Sequence, residues 1–273
     1  MIIFAMLFGM DDLAQTLREF APIDTHFHYF HCMDQGQDSK ADVEFAFKHG
    51  LRAAVEAGTP HYSFDKRKEL SLSYPHLYLI CGHHPQDCID PAAIDTAALK
   101  EELAFEKTIA LGEVGLDYMR EVNKKAQQEC FIIQLNLSKE MNKPVVLHVR
   151  EAHEDALAII REQDIHHGIV HCFTGDKNIA RAWLDQGFYL SYSGIATFKN
   201  APEVQESVLY TPLERLLCET DAPFLTPVPY RGRPNQLGYV AFVYRHISSL
   251  RGIKGQIFSQ QMAANFKKFV PQF

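Results

Sequence analysis

Six side chains of the types that bind divalent metal ions are spread along the chain, each at or near the end of a short apolar run typical of a β-strand. They are His26, His28, Glu113, His148, His171 and Asp221. Imidazole and carboxylate groups are common ligands of zinc-like ions. In a closed parallel barrel all the strands end on one face, so residues far apart in sequence meet there. The series therefore predicts one metal site built from several strands.

The residue types also predict a division of labour within this site. His26 and His28 are two residues apart, so in an extended strand they point to the same side and can hold one ion. Glu113 is the candidate bridge, because a carboxylate can join two ions more readily than an imidazole can. Two ions about 3.5–4 Å apart would activate a shared hydroxide for hydrolysis, and Asp221 would orient it and accept its proton. Glu113 and Asp221 are therefore the predicted catalytic residues.

The chain alternates short β-type runs with longer helical patterns, which is typical of repeated βα units and a parallel sheet. Strands are predicted at 22–26, 51–56, 77–81, 108–112, 144–148, 168–172, 187–191 and 215–219. Helices are predicted, among other places, at 124–141, 152–162, 239–250 and 256–270. Eight such units predict a single-domain (β/α)8 TIM barrel over 22–273. The alternative is an open doubly wound sheet, which usually has a glycine-rich turn after its first strand, whereas this chain has DTHFH there.

Composition narrows the class of protein. The chain has 273 residues, of which 47% are hydrophobic and 22% charged, as in an ordinary globular protein. The net charge of −7 argues against nonspecific coating of nucleic acid, although bound cations could supply positive charge at a metal site. The six cysteines form no CxxC pair and are predicted to be reduced and mostly buried thiols, which suits the cytoplasm.

Residues 1–21 precede the first predicted strand. Their apolar start is far shorter than the roughly 20 residues that span a bilayer, and it lacks a basic region and a cleavage site, so no signal peptide is predicted. Asp12 resembles a helix start, with Leu13, Leu17 and Phe20 on one face. We expect a short strand and a helix packed on the barrel. A membrane-associating leader is the alternative.

Longer motifs surround the candidate ligands and continue towards the C-terminus. They are IDTHFH (23–28), GHHP (82–85), GEVGLDY (112–118), VLHVREA (146–152), HCFTG (171–175), SGIATFK (193–199) and ETDAPFLTPVPYRGRPN (219–235). In these motifs the chain resembles the TatD family of metal-dependent hydrolases, within the amidohydrolase-type barrel superfamily. The resemblance implies a barrel with a dinuclear site and phosphodiester hydrolysis, typically described as DNase activity and including exonucleolytic action.

The resemblance also implies how the ligands divide between two divalent ions. One ion would be held by His26, His28, Glu113 and Asp221. The other would be held by Glu113, His148 and His171. Because no thiolate takes part, Zn, Mn, Fe and Mg are the candidate ions. The expected substrate is DNA, another nucleic acid or a small phosphodiester, and a monomer without membrane attachment is the default expectation.

Four further side chains are candidate substrate contacts. Arg150 lies two residues beyond His148, on the same side of a continuing strand, and could hold a substrate phosphate. Arg231 and Arg233 lie in a Pro/Gly-rich segment after the eighth predicted strand, where they could clamp a phosphate or simply be solvated. His84, in GHHP, could contact the leaving group.

Other residues have weaker interpretations. Glu219 could support the site or be structural, and Trp183 is predicted to lie in the core. The basic run 66–68 is predicted to be a solvated helix face that could touch a nucleic-acid backbone. Residues 30–50 and the Gln-Leu pair at 236–237 match the family pattern weakly, which could alter the choice of substrate.

Two other functions stay open at this point. One is a hydrolase of the same superfamily that acts on an amide, a lactone or a phosphotriester. Such enzymes often bridge their metals with a carboxylated lysine, whereas this chain has Glu113 at the corresponding strand end. The other is a non-catalytic binding barrel, which the loss of a ligand would have favoured, but all six candidate ligands are present.

Overall fold

Eight parallel strands form one sheet in which each strand pairs with its neighbours in sequence. The computed structural model describes residues 2–119 and 123–273, with side chains described from residue 11 onwards. The strands are β1 (Ile23–Phe27), β2 (Ala53–Ala57), β3 (Leu77–Cys81), β4 (Thr108–Asp117), β5 (Val145–Arg150), β6 (Gly168–Val170), β7 (Tyr189–Tyr192) and β8 (Leu216–Cys218). Most strand residues are buried, as expected for a parallel sheet covered by helices.

Helices fill the connections between the strands and flank the barrel. They are α1 (Ile2–Phe20), α2 (Tyr29–Asp34), α3 (Ser39–His49), α4 (Phe64–Ser73), α5 (Thr96–Ala104), α6 (Lys124–Glu140), α7 (His153–Glu162), α8 (Lys177–Asp185), α9 (Pro202–Tyr210), α10 (Val240–Leu250) and α11 (Gly255–Phe266). Several begin after an Asp or Asn whose side chain accepts hydrogen bonds from N–H groups of the first turn. These N–H groups have no acceptor within the helix itself. These residues are Asp38, Asp95, Asn123 and Asp176.

The ends of the sheet meet where the chain passes beyond β8. The Asp221 N–H donates to the carbonyl of His26 over 2.9 Å, and the His28 N–H donates to the carbonyl of Ala222 over 2.8 Å. The buried Asp24 carboxylate also accepts a hydrogen bond from the backbone N–H of Thr220 over 3.0 Å. These bonds tie the first strand to the segment after the last one. With the sequential strand order, they confirm the predicted (β/α)8 barrel and make the open doubly wound alternative wrong.

Strand alternation divides the buried residues into two cores. Alternate residues such as Ala53, Val55, Tyr78 and Ile80 form an inner core together with Phe266 near the C-terminus. The other strand residues pack against the helices and form a larger outer core. Because the inner core fills the barrel, the side chains at the carboxyl ends of the strands stand on a rigid base.

Helix α1 packs through Leu13, Leu17 and Phe20, which are buried in the outer core. Its neighbours include α3, α10 and α11. The predicted short strand and the predicted helix start at Asp12 are wrong, because one helix begins at Ile2 and continues through that position. Within it, the Asp12 carbonyl accepts the hydroxyl of the residue at position 16, and its carboxylate accepts a hydrogen bond from an arginine of α10 over 3.0 Å.

Some element boundaries differ from the sequence-based ones. Strand β4 continues past the predicted end at 112 to Asp117, since it pairs with β5 up to Arg150. Strands β6 and β8 end before the candidate ligands that follow them, so these ligands lie in the first loop residues. The predicted helix at 256–270 ends at Phe266. Glu113 therefore stands inside a strand rather than at its end.

Two side-chain predictions had opposite outcomes. Trp183 is fully buried, which confirms its place in the core. The solvated face predicted for the basic run 66–68 is wrong for Arg67, which is buried and pairs with the buried Glu56 at 2.7 Å between Nε and Oε2. Its two neighbours in the run, Lys66 and Lys68, are exposed.

The cysteines and the helices also bear on the class of protein. All six cysteines are free and five are buried, which confirms the prediction of mostly buried thiols. Within the described part of the chain, no helix has both the length and the apolar character that crossing a membrane requires.

Candidate metal centre

The six predicted ligands come together at the carboxyl ends of the barrel strands. His26 lies in β1, with His28 just after it, Glu113 in β4 and His148 in β5. His171 directly follows β6, and Asp221 lies three residues beyond β8. Five are buried and His148 is half-buried. The barrel thus brings into one cluster side chains that are up to 195 positions apart, from 26 to 221.

Glu113 is the centre of this cluster. Its Oε2 lies 3.2 Å from Nε2 of His26 and 3.9 Å from Nε2 of His28. Its Oε1 lies 2.7 Å from Nδ1 of His148 and 2.7 Å from Nε2 of His171. Each carboxylate oxygen therefore faces a different set of imidazoles.

Asp221 completes the side of the cluster that contains His28. Its Oδ1 lies 3.4 Å from Nε2 of His28. Its backbone has φ 57°, in the left-handed region that non-glycine residues rarely adopt. The hydrogen bond from its N–H to His26 holds the backbone in that conformation. Such strained positions cluster at functional sites.

Two of the imidazoles are oriented by acceptors on their far side. Nδ1 of His28 lies 2.7 Å from the Ala57 carbonyl, to which it donates. Nδ1 of His171 lies 3.2 Å from Oε1 of Glu219, which also accepts the Cys172 N–H over 2.7 Å. Acceptors of this kind fix the ring and direct its other nitrogen towards an ion. Glu219 was predicted either to support the site or to be structural, and its contact with His171 agrees with support of the site.

Asp117 is a further contact that sequence reasoning missed. Its Oδ2 lies 3.4 Å from Nε2 of His148 and accepts the Gln86 amide over 2.7 Å. Its Oδ1 accepts the Met119 N–H over 3.0 Å. The signal was present in GEVGLDY, because residues four apart in a strand lie on the same side, and Asp117 is four residues after Glu113.

Electrostatics favour ionised carboxylates in this cluster. Burial raises the pKa of Glu113, but the facing imidazoles of His171, His84 and His26 prevail and hold it well below its ordinary value. Burial lowers the pKa of His171, but Glu113 and Glu219 raise it well above the ordinary value. Burial also raises the pKa of Asp221, yet the hydrogen bond with His28 leaves it lowered. Ionised carboxylates can bind a divalent ion without first losing a proton.

The cluster fits divalent ions. Both ring nitrogens of His26 are buried and make no hydrogen bond, although buried polar atoms are normally paired. Among the residues that the structure describes, three overlapping groups have ligand atoms within 4.8 Å of one another: His26 with His28 and Glu113, His84 with Glu113 and His148, and His26 with His171 and Glu219. Imidazole and carboxylate donors without a thiolate suit Zn, Mn or Fe, and less readily Mg.

The candidate substrate residue His84 lies among these candidate ligands. Its Nε2 is 3.6 Å from Oε1 of Glu113, and its ring meets that of His148 edge-on at 4.4 Å. Burial lowers the pKa of His84 to about 3, so the imidazole is neutral at pH 7. Its Nδ1 accepts the Gln86 N–H, which fixes the ring. The sequence-based role as a leaving-group contact thus has a metal-binding alternative.

The three candidate arginines are exposed. Arg150 is the last residue of β5, two positions beyond His148. Arg231 and Arg233 lie in the long segment after β8, and their guanidinium carbons sit 3.9 Å over the ring of Phe198 and 5.7 Å over that of Tyr230, respectively. The structure therefore places Arg150 at the end of the strand that contains the candidate ligand His148, whereas the other two guanidinium groups lie over aromatic rings.

Comparisons with known proteins agree with this geometry. The family model described as TatD related DNase matches residues 23–271. A Bacillus subtilis protein named "Uncharacterized metal-dependent hydrolase YabD" is 39% identical over 231 residues, covering 84% of this chain and 90% of that protein. An Escherichia fergusonii protein named "3'-5' ssDNA/RNA exonuclease TatD" is 31% identical over 218 residues, covering 77% and 84%.

A solved structure shows the same architecture. The crystal structure of YJJV, a TatD homolog from Escherichia coli, superposes with a TM-score of 0.82 at 27% identity, covering 92% of this chain and 98% of that one. The family match spans every candidate ligand and all eight strands. The chain therefore belongs to the TatD family of metal-dependent hydrolases.

Proposed function

We propose that this protein is a nuclease that hydrolyses phosphodiester bonds of DNA or RNA with two divalent ions. The observation that carries this proposal is the arrangement around Glu113, whose two oxygens face separate sets of imidazoles. Two ions in such a site would neutralise charge on a phosphate and lower the pKa of a water molecule. Zn, Mn, Mg and Fe are the candidate ions.

The ligands divide between the two ions along Glu113. His26 and His28 lie on the Oε2 side, where Asp221 is 3.4 Å from His28, whereas His148 and His171 lie on the Oε1 side. His84 also approaches Oε1, at 3.6 Å, and is either a further ligand on that side or a contact for the leaving group. Behind these rings, Glu219 lies 3.2 Å from Nδ1 of His171 and Asp117 lies 3.4 Å from Nε2 of His148.

Asp221 is the proposed general base. Its carboxylate is almost fully buried, and the hydrogen bond with His28 keeps it ionised by lowering its pKa. A general base must lie within hydrogen-bonding reach of the water that it deprotonates. The backbone bond to His26 fixes Asp221 at the closing seam of the barrel, so its carboxylate can orient a water without first reorganising.

Arg150, Arg231 and Arg233 are the proposed contacts for substrate phosphates. The guanidinium group matches a phosphate through two parallel hydrogen bonds. Arg150 is the best placed, because it is the last residue of the strand that contains His148. These arginines would supply local positive charge in a chain whose overall charge is −7.

Nucleic acid is favoured over the other substrates of the superfamily. A relative that covers 77% of this chain is named as an exonuclease of single-stranded DNA and RNA. The phosphotriesterase homology protein of Escherichia coli shares only 14% identity, with a TM-score of 0.65, so its likeness shows the fold alone. The bridge position holds Glu113 instead of the lysine common in lactone and amide hydrolases. The presence of all six candidate ligands favours a catalytic protein over one that only binds nucleic acid or protein.

A metal-reconstituted activity panel tests this function. The protein, loaded in turn with Zn, Mn and Mg, would be assayed on single-stranded DNA, duplex DNA, RNA, a small phosphodiester and a lactone. We expect phosphodiester cleavage that chelation abolishes and metal restores. Hydrolysis of the lactone alone would overturn the proposal, and no turnover with any metal would favour the non-catalytic barrel.

A further inference from the structure

Phe224 presents an aromatic ring to solvent beside the candidate ligands. It is 45% exposed, and its ring centroid lies 6.1 Å from that of His28. Its N–H donates to the carbonyl of Asp221 over 2.9 Å, and its own carbonyl accepts the side-chain amide of Asn235 over 2.5 Å. The ring therefore projects from a fixed backbone at the edge of the metal centre.

Three more rings continue from Phe224 around this edge. His31 lies 6.3 Å from Phe224 and 5.2 Å from His28. Tyr62 meets His31 edge-on at 5.2 Å, and Phe30 stacks on Tyr62 at 5.2 Å with an interplanar angle of 24°. These four residues, Phe30, His31, Tyr62 and Phe224, are called the aromatic arc below. The arc belongs to three separate segments of the chain that meet at one place.

Polar contacts hold the arc in place. The Tyr62 hydroxyl donates to the carboxylate of Asp34, and it also lies 3.0 Å from Nδ1 of His31. Because the hydroxyl proton is directed to Asp34, Nδ1–H of His31 is the donor to the Tyr62 oxygen. Phe30 and His31 lie in helix α2, which begins directly after His28. The same short helix therefore connects a metal ligand to the arc.

An aromatic ring that is exposed to water is unfavourable in free energy, and a ligand that covers the ring would relieve this. Apolar surface is stabilised when it leaves water, and a preorganised ring loses little conformational freedom on binding. Aromatic side chains beside a phosphate site are the usual platform for bases of single-stranded nucleic acid, since every base has a flat face that can stack. In a duplex those faces are covered by neighbouring base pairs, so they cannot reach the arc.

We propose that the aromatic arc is a stacking subsite for an unpaired nucleobase next to the phosphate that is cleaved, with Phe224 as its principal ring. This inference rests on the proposed nuclease function and adds the means of selecting single strands. His28 connects the two parts, because it is both a candidate ligand and the ring that Phe224 and His31 contact. The subsite reads no base sequence, since stacking tolerates all bases.

The test combines a protein variant with a change in the substrate. The substrates are short single-stranded oligothymidylates, intact or with one abasic nucleotide at the first, second or third position from the end that is cleaved. The variants are Phe224→Ala, Phe224→Leu and Phe224→Tyr in the metal-loaded full chain. The control is Tyr210→Ala, since Tyr210 is 44% exposed but ends α9, at the amino-terminal side of β8.

Loss of stacking is expected to raise KM by about five- to a hundredfold in Phe224→Ala, with a smaller change in kcat. Phe224→Tyr should retain the wild-type KM, and Tyr210→Ala should not change it. An abasic nucleotide at one position should raise the KM of the wild type by a similar factor, with no further increase in Phe224→Ala. Phe224→Leu keeps apolar volume without a flat ring and should resemble Phe224→Ala.

Two results would overturn the subsite while leaving the nuclease intact. One is a wild-type KM in a folded Phe224→Ala or Phe224→Leu. The other is an abasic penalty of equal size in the wild type and in Phe224→Ala, which would place the base elsewhere. If the wild type cleaves no oligonucleotide with any metal, the nuclease function and the subsite fail together. Thermal unfolding followed by circular dichroism checks that each variant is folded.

Discussion

Oε1 of Glu113 lies 2.7 Å from Nε2 of His171, so a residue of β4 meets the residue that follows β6. The other carboxylate oxygen lies 3.2 Å from Nε2 of His26 in β1. One side chain of β4 thus connects an imidazole of β1 with the imidazole that follows β6. Because both oxygens face imidazole nitrogens, we expect removal of this carboxylate to weaken the binding of both proposed ions.

Glu113→Ala is expected to lose the binding of two ions per chain, because the shared ligand is gone. Metal content would be measured by atomic emission after reconstitution and gel filtration. Glu154→Ala, at an exposed position in the first turn of α7, is the matched control and should retain the wild-type content. Two tightly bound ions in Glu113→Ala would contradict the bridging role.

Asp117→Asn is expected to weaken metal binding by about 10- to 100-fold, as loss of an outer carboxylate partner of a histidine ligand usually does. The reason is the contact of 3.4 Å between Oδ2 of Asp117 and Nε2 of His148. Affinity would be measured by competition with a chromophoric chelator. Asp65→Asn, exposed in the first turn of α4, serves as the control. Equal affinities of the two variants would show that Asp117 does not orient the ligand.

Arg67→Met is expected to lower the free energy of unfolding by about 3–5 kcal/mol, because it leaves Glu56 as a buried charge without its partner. Arg67 also donates to the carbonyl of Ile80, which would lose that bond. Lys66→Met, on the exposed side of the same helix, should change stability by less than about 0.5 kcal/mol. Urea unfolding followed by fluorescence measures both. Similar midpoints for the two variants would rule out a structural role for the ion pair.

Asp42 is expected to make stability depend on pH. Burial raises the pKa of its carboxyl from 3.8 to about 6, although the N–H of Leu237 donates to it over 2.9 Å. Because its pKa is raised in the folded state, folding favours the protonated carboxyl of Asp42. The contribution of this protonated group to stability is full below pH 3.8 and is lost as the pH rises through about 6. Asp42→Asn lacks this titration, so its stability relative to the wild type should increase from pH 4 to pH 7. Unfolding free energies measured across that range check the trend, and parallel curves would contradict it.

Much of the fold follows from local patterns in the sequence. Alternating β and helical runs predict eight βα units, and the barrel then fixes which ends converge. The candidate ligands could be predicted to converge because His26 and His28 share a strand face and the others follow apolar runs. The contact of Asp117 with the site could also have been predicted, because Asp117 is four residues after Glu113 and therefore lies on the same side of the strand.

The remaining features depend on contacts between distant segments. The burial of Arg67 requires Glu56, which lies on a neighbouring strand and not in the basic run itself. The aromatic arc joins α2, the loop after β2 and the loop after β8, and none of these segments has a pattern that predicts the others. The start of α1 was missed because Asp12 resembles a helix cap, yet its carboxylate pairs instead with Arg245 of α10.

The most direct measurement for the proposed mechanism is the turnover of a labelled single-stranded oligonucleotide by metal-replete Asp221→Asn, with metal content determined on the same preparation. The amide keeps the shape of the side chain but cannot take a proton from water. We predict that kcat falls by about 10²- to 10⁴-fold while the fold is retained. Undiminished turnover in that preparation would contradict the assignment of Asp221 as the general base.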